Sequence, residues 1–70
     1  MNGSRAALAE VDALLSLHPE PTCDILLCPP ATHLAWMRER IGQATLATGG
    51  QDCHAEHHGA HTGDISAAML

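Results

Sequence analysis

The chain has no lysine, no phenylalanine and no tyrosine, and it has a single tryptophan, Trp36. Binding to nucleic acid needs clustered Lys and Arg, whereas this chain has three Arg in all and a net charge of −5. No uninterrupted apolar run approaches the ~18 residues of a membrane span. We therefore expect neither nucleic acid nor a membrane as a partner.

The arrangement of the cysteines indicates a compartment. Cys23, Cys28 and Cys53 are odd in number and lack the spacing of a disulfide framework. Unpaired thiols are typical of reducing compartments. The sequence therefore predicts a cytoplasmic protein with free cysteines.

Large apolar side chains are also few. The hydrophobic fraction of 46% includes twelve alanines, which bury little surface each. Below ~80 residues, one core rarely contributes more than ~3–5 kcal/mol. We therefore expect residues 1–70 to be part of a larger domain, truncated at both ends, and not to fold stably alone.

Two segments have apolar residues at helical spacing. The first follows Ser4, which is a typical N-cap residue, and ends before Pro19. Its apolar stripe at i, i+3, i+4 and i+7 consists of Ala7, Leu8, Val11, Leu14, Leu15 and His18. The second is predicted from His33 to Ile41, with Thr32 as its N-cap and Gly42 at its end.

Two other segments have the composition of short strands. Residues 24–28 form an apolar run bounded by turn residues, a pattern typical of a strand buried on both faces. Residues 44–51 give a weaker strand pattern, and Ser66 begins one further turn of helix. The predicted order is helix, strand, helix, strand, long loop and helix. It indicates an α/β fold with adjacent parallel strands and a right-handed crossover.

Four motifs, in this order and spacing, resemble the triosephosphate isomerase family over the whole chain. They are Met1-Asn2-Gly3-Ser4, Cys28-Pro29-Pro30, Gly49-x-Gln51 and Gly59-Ala60-x-Thr62-Gly63-Asp64-Ile65-Ser66. The resemblance implies an incomplete (β/α)8 barrel, of which this chain is the first quarter or so. The family has an aromatic residue, Glu, Asn and Pro at four positions that are here His61, Asp64, Asp52 and Ala67.

The resemblance also implies an activity. The family interconverts dihydroxyacetone phosphate and D-glyceraldehyde 3-phosphate, in glycolysis and gluconeogenesis, without a cofactor. A carboxylate base moves a proton next to the carbonyl, and neutral histidine and lysine stabilise the enediolate. The family's catalytic Asn, Lys, His and Glu have no matching position in residues 1–70. We therefore expect no catalytic residue in this chain and no activity of the chain alone.

The family further implies a homodimer, in which the loop matching residues 53–64 enters the partner subunit. The interface residues carried over by this resemblance are Cys53, Gly59, Thr62, Gly63 and Asp64. The family's threonine braces the active-site residues of the neighbouring subunit, which is the role expected for Thr62. Asp64 is expected to pair with a basic group, and the two glycines to permit tight turns.

The same loop allows an alternative function, a small metal-binding module. Its candidate ligands are Cys53, His54, His57, His58 and His61. Thiolate and imidazole are zinc ligands, and His54 and His58 lie four residues apart. However, zinc sites usually draw oriented ligands from separate elements, whereas these side chains share one exposed loop. We therefore expect no metal there. Stoichiometric retention of zinc would favour the module.

Overall fold

The computed structural model describes residues 3–70, so Met1 and Asn2 of the first motif lie outside the described residues. The elements in chain order are a 3₁₀ turn Arg5–Leu8, α1 Ala9–Leu17, β1 Leu26–Leu27, a 3₁₀ turn Ala31–His33, α2 Leu34–Ile41, β2 Ala47–Thr48 and a 3₁₀ turn Ala67–Met69. This order confirms the predicted alternation of helices and strands.

The two strands are adjacent and parallel, as predicted, and helix α2 lies between them in the chain. Leu26 pairs with Ala47, and Leu27 pairs with Thr48. Each regular strand has two residues and is therefore shorter than the predicted run. Backbone hydrogen bonds extend the pairing on either side of these two residue pairs. One flanking bond runs from the Gly49 N–H to the Leu27 carbonyl oxygen at 3.0 Å. The hand of the crossover stays a prediction.

The helix starts differ from the predicted caps. Ser4 and Ser66 occupy extended N-cap positions, but neither side chain makes a capping hydrogen bond. The prediction of Thr32 as an N-cap is wrong, since Thr32 lies inside the 3₁₀ turn Ala31–His33. The chain already turns at Pro30, whose carbonyl oxygen accepts the His33 N–H at 2.9 Å. The first helical turn is therefore closed by backbone groups.

The end of α2 confirms the prediction made for Gly42. This residue has a φ of 56°, and its N–H donates to the Arg38 carbonyl oxygen at 3.1 Å. Glycine adopts such a left-handed conformation at little cost, whereas residues with a Cβ are strained there. Gly42 thus ends the helix and turns the chain towards β2.

A small core lies between the two helices and one face of the strands. Its buried members are Leu8, Val11, Met37, Ile41 and Leu46. Leu8 and Val11 belong to the stripe predicted for the first helix, and Met37 and Ile41 face them from α2. Leu27 packs against this cluster from β1. The face predicted for the first helix is therefore the one that packs against α2.

The prediction that the first strand is buried on both faces is wrong for the described chain. Leu26 is 62% exposed, whereas its neighbour Leu27 packs against the core. Successive side chains of a strand point to opposite faces, and both helices lie on the Leu27 face. The opposite face of the two-stranded sheet has no cover among residues 3–70.

The chain also exposes more surface than a self-contained domain of its mass. It exposes 5444 Å², and about 4,200 Å² is typical of a folded 7.4 kDa monomer. Its radius of gyration is 13.5 Å, against about 11 Å for a compact chain of this length. Among residues 3–70, no helix has both the length and the apolar character needed to cross a bilayer.

Candidate functional site

The histidine loop, which we define as residues 53–64, begins near the carboxyl ends of the two parallel strands. Gln51 Nε2 donates to the Cys28 carbonyl oxygen at 2.9 Å and thereby connects the segments that follow β1 and β2. In α/β proteins, this end of the sheet is where functional residues collect. The sequence singled out Gln51 as part of a motif, but nothing in it revealed this contact.

The two ends of the histidine loop are held together by the backbone. The His54 N–H donates to the Ile65 carbonyl oxygen at 2.8 Å, and His54 and Ser66 form an isolated parallel bridge. The Asp52 side chain accepts the Cys53 N–H at 2.9 Å just before this point. The loop therefore leaves and rejoins the fold at one place, as compact surface loops do.

The last four residues of the loop form a turn that carries Thr62. The Asp64 N–H donates to the His61 carbonyl oxygen at 2.9 Å, which places Thr62 and Gly63 at the two central positions. Both central residues are exposed. Within residues 3–70 the Thr62 hydroxyl has no hydrogen-bond partner. It is therefore free to bond a group on another molecule.

The two glycines assigned to tight turns differ from each other. Gly59 has a φ of 133°, and a Cβ added there would lie 3.1 Å from the ring of His61, so any other residue would be strained. Gly63 has no left-handed φ, and a Cβ there would meet nothing within 4 Å. Gly63 lies in a tight turn as expected, but of the two only Gly59 has a backbone conformation that favours glycine.

Three polar side chains converge inside the loop. His54 Nε2 lies 3.9 Å from Asp64 Oδ2. The rings of His54 and His61 are stacked, with centroids 3.8 Å apart and 29° between their planes. The His54 Nδ1 accepts the Glu56 N–H at 2.9 Å, which leaves the proton of the neutral ring on Nε2, towards Asp64. An ion pair here exists only when His54 is protonated.

The ligand set of the metal-module alternative is not assembled among the described residues. The metal-ligating side chains that come together within residues 3–70 are His54, His61 and Asp64. Cys53 Sγ lies 3.6 Å from the His54 carbonyl oxygen, and His57 and His58 are exposed and stand outside the cluster. Asp64 was missed as a ligand because its approach to His54 depends on loop closure across ten residues.

The residues assigned to a dimer interface share one property. Each of them is exposed on the histidine loop or at its ends, and they are Cys53, Gly59, Thr62, Gly63 and Asp64. The side chain of Asp64 is 47% exposed. The loop thus presents a polar surface with a free hydroxyl and a carboxylate.

A model of the family described as triosephosphate isomerase matches residues 1–70. A protein of Jannaschia sp. (strain CCS1) named triosephosphate isomerase is 59% identical over 70 residues, which are 100% of this chain and 28% of that protein. A protein of the same name from Bradyrhizobium sp. (strain ORS 278) is 53% identical over 73 residues, covering 100% of this chain and 29% of its own length. No solved structure matches the chain.

These matches run from one end of the chain to the other, but the chain spans less than a third of the length of these relatives. The family match covers the motifs, the strand–helix–strand unit and the histidine loop together. The chain belongs to the triosephosphate isomerase family.

Proposed function

We propose that the whole protein containing this chain is a triosephosphate isomerase. It interconverts dihydroxyacetone phosphate and D-glyceraldehyde 3-phosphate in the cytoplasm, as a step of glycolysis and gluconeogenesis, and it works as a homodimer without a cofactor. The observation that supports this proposal most strongly is the family match over residues 1–70. The parallel strand–helix–strand unit is the repeat from which a (β/α)8 barrel is built.

In this proposal the chain contributes structure rather than chemistry. Enediolate formation needs a positioned base and a group that stabilises the developing negative charge, in a site closed to water. The chain has no lysine, and five of its six histidines are exposed or only half-buried. The remaining one, His33, is buried beside Trp36, with ring centroids 5.5 Å apart. We place the catalytic residues outside residues 1–70.

The uncovered faces of the fold support a larger barrel around the chain. A cavity of about 660 Å³ lies open between α2, β2 and the last residues, with Leu34, Ala47 and Met69 among its lining. Leu26 adds exposed apolar surface. Strands and helices of the same protein would cover both, since edges and apolar faces of a two-stranded sheet are not stable in water.

The histidine loop serves as the subunit contact in this proposal. Thr62 braces the neighbouring subunit through its free hydroxyl, and Asp64 pairs with a basic group of that subunit. Cys53 and Gly63 contribute surface at the two ends. Gly59 permits the backbone conformation that precedes the turn at Thr62.

The test compares two purified proteins in a coupled assay with glyceraldehyde 3-phosphate. One is the 70-residue chain, and the other is a chimaera in which residues 1–70 replace the matching segment of the 59%-identical relative. We expect the chimaera to turn over substrate and the chain alone to give no rate above buffer. Turnover by the chain alone, or a folded chimaera without activity, would contradict the proposal. The unmodified relative is the positive control.

A further inference from the structure

A cavity lies at the amino ends of the two strands, on the face of the sheet that carries the helices. Its volume is about 330 Å³, and volumes of about 300–1,000 Å³ are typical of small-molecule sites. We propose that this cavity, which we call the amino-end cavity, binds a small apolar molecule that carries one amine group. It lies at the opposite end of the strands from the histidine loop. Binding there goes beyond the isomerase activity and does not depend on it.

Most of the lining of the amino-end cavity is apolar. Ile25 and Leu46 line it just before β1 and β2 begin. Leu14 and Leu15 line it from the last turns of α1. Ile25 lies on the same face of its strand as Leu27, because side chains two residues apart point the same way. Leu46 is buried, whereas the other three lining residues are half-buried. An apolar ligand would cover the surface that they still expose, which favours its binding.

Two prolines border the cavity on the segment between α1 and β1. Pro19 and Pro21 both belong to its lining. The pyrrolidine ring fixes the φ of a proline at about −65°, so these residues restrict the conformations of the segment. The cavity therefore keeps its shape without a ligand, and binding needs little new ordering of the chain.

The polar side chains of the cavity determine the charge that its ligand should carry. They are His18, Cys23, Asp24 and Thr45. Asp24 is the one acidic side chain among them, and within residues 3–70 no Lys or Arg lines the cavity. The Asp24 carboxylate also has no ion-pair partner in this part of the chain. A cation complements such a lining, whereas an anion is repelled, so the ligand carries an amine and not a carboxylate.

The cavity does not need the open face of the sheet. All its lining residues lie between Leu14 and Leu46, in the unit that runs from α1 to the start of β2. The uncovered face, on which Leu26 is exposed, is the opposite face of the sheet. Elements that cover Leu26 in the whole protein therefore leave the cavity in place.

The test uses the chimaera, in which residues 1–70 belong to a whole barrel, and 2-phenylethylamine as the probe. Two compounds with the same phenyl group are controls, uncharged 2-phenylethanol and anionic 3-phenylpropionate. We expect saturable one-to-one binding of the amine, about two- to fivefold weaker binding of the alcohol, and no saturable binding of the anion. The amine should shift the methyl NMR signals of Ile25. It should not shift those of Ile41, which is buried outside the cavity.

Two pairs of variants locate the site. Ala44→Leu should abolish saturable binding, because Ala44 lines the cavity and the longer side chain fills part of it. Gln43→Leu, one residue away and outside the lining, should bind as the unsubstituted chimaera does. Asp24→Asn should weaken binding of the amine about two- to fivefold. Glu20→Gln removes an exposed acid of the same segment that does not line the cavity, and it should have no effect. Urea unfolding of every variant checks that the fold is unchanged.

Three results would overturn the proposal. They are no saturable binding of the amine to the folded chimaera, binding of 3-phenylpropionate as tight as that of the amine, and unchanged binding of the amine to Ala44→Leu. The isomerase activity of the chimaera is measured in parallel. A folded but inactive chimaera that binds the amine would contradict the proposed function and support the assignment of the cavity.

Discussion

Residues 5–48 and the histidine loop differ in what holds each of them in place. Among residues 3–70, all five buried apolar side chains lie in residues 5–48, where α1 and α2 pack on the Leu27 face of the strands. In the loop, His54 is half-buried and every other residue is exposed. The loop keeps its shape through two backbone hydrogen bonds, from His54 to Ile65 and from Asp64 to His61, and it has no core of its own.

This difference shows what each region still needs. Burying a large apolar side chain contributes about 1.5–3 kcal/mol, whereas one exposed hydrogen bond contributes about 0.5–1.5 kcal/mol. Residues 5–48 are therefore stabilised by their own buried side chains, although the Leu26 face of the sheet is uncovered among residues 3–70. The loop gains further stability only from something outside it, which is a second subunit in our proposal.

The largest expected loss of stability comes from the core. A buried and an exposed leucine of the same region allow the comparison. Leu8 is 3% exposed and Leu17 is 74% exposed. In the chimaera, Leu8→Ala should lower the free energy of unfolding by about 2–5 kcal/mol, because it leaves a cavity. Leu17→Ala should change it by less than about 0.5 kcal/mol. Urea unfolding at one fixed protein concentration measures both, and equal losses would show that the core is misassigned.

Within the loop, the two glycines provide the next comparison. Gly59→Ala forces a side chain into a φ of 133° and against the His61 ring, which should cost about 1–3 kcal/mol. Gly63→Ala meets no neighbour within 4 Å and should be neutral or slightly stabilising. The same urea series on the chimaera checks this. A Gly63→Ala variant as unstable as Gly59→Ala would contradict the described turn.

The smallest effect is expected for the ion pair between the two helices. Arg40 Nη1 contacts the Asp12 carboxylate and also lies 3.4 Å from the Leu8 carbonyl oxygen. The side chains of Arg40 and Asp12 are 39% and 56% exposed, so water and salt screen the pair. A double-mutant cycle with Arg40→Ala and Asp12→Ala should give a coupling below about 1 kcal/mol. A coupling of several kcal/mol would mean that the pair is buried in the whole protein.

The sequence predicted the elements well wherever a periodic pattern was present. The stripe containing Leu8 and Val11 predicted the buried face of the first helix, and Gly42 predicted the end of the second. Both depend on local chemistry that repeats along the chain. The cap at Thr32 failed because the turn at Pro30 begins the helix earlier, and backbone hydrogen bonds decide that competition.

The arrangement of the histidine loop could be predicted only in part. Its motif pointed to Thr62 as an interface residue of the loop, but the pairing of His54 with Ile65 and Ser66 has no periodic signal in the sequence. The approach of Asp64 to His54 follows from that pairing. Contacts between residues ten positions apart in an irregular loop depend on backbone closure, which composition and spacing do not encode.

The most direct test of the subunit contact is the dimer dissociation constant of the chimaera with Thr62→Ala, from sedimentation equilibrium. Loss of the hydroxyl leaves a buried partner group unpaired, which costs about 1–3 kcal/mol. The dissociation constant should therefore rise by about five- to 150-fold, with activity falling on dilution. Thr22→Ala, at an exposed site outside the loop, is the matched control and should leave both unchanged. Identical dissociation constants for the two variants would contradict the assignment of the histidine loop to the subunit interface.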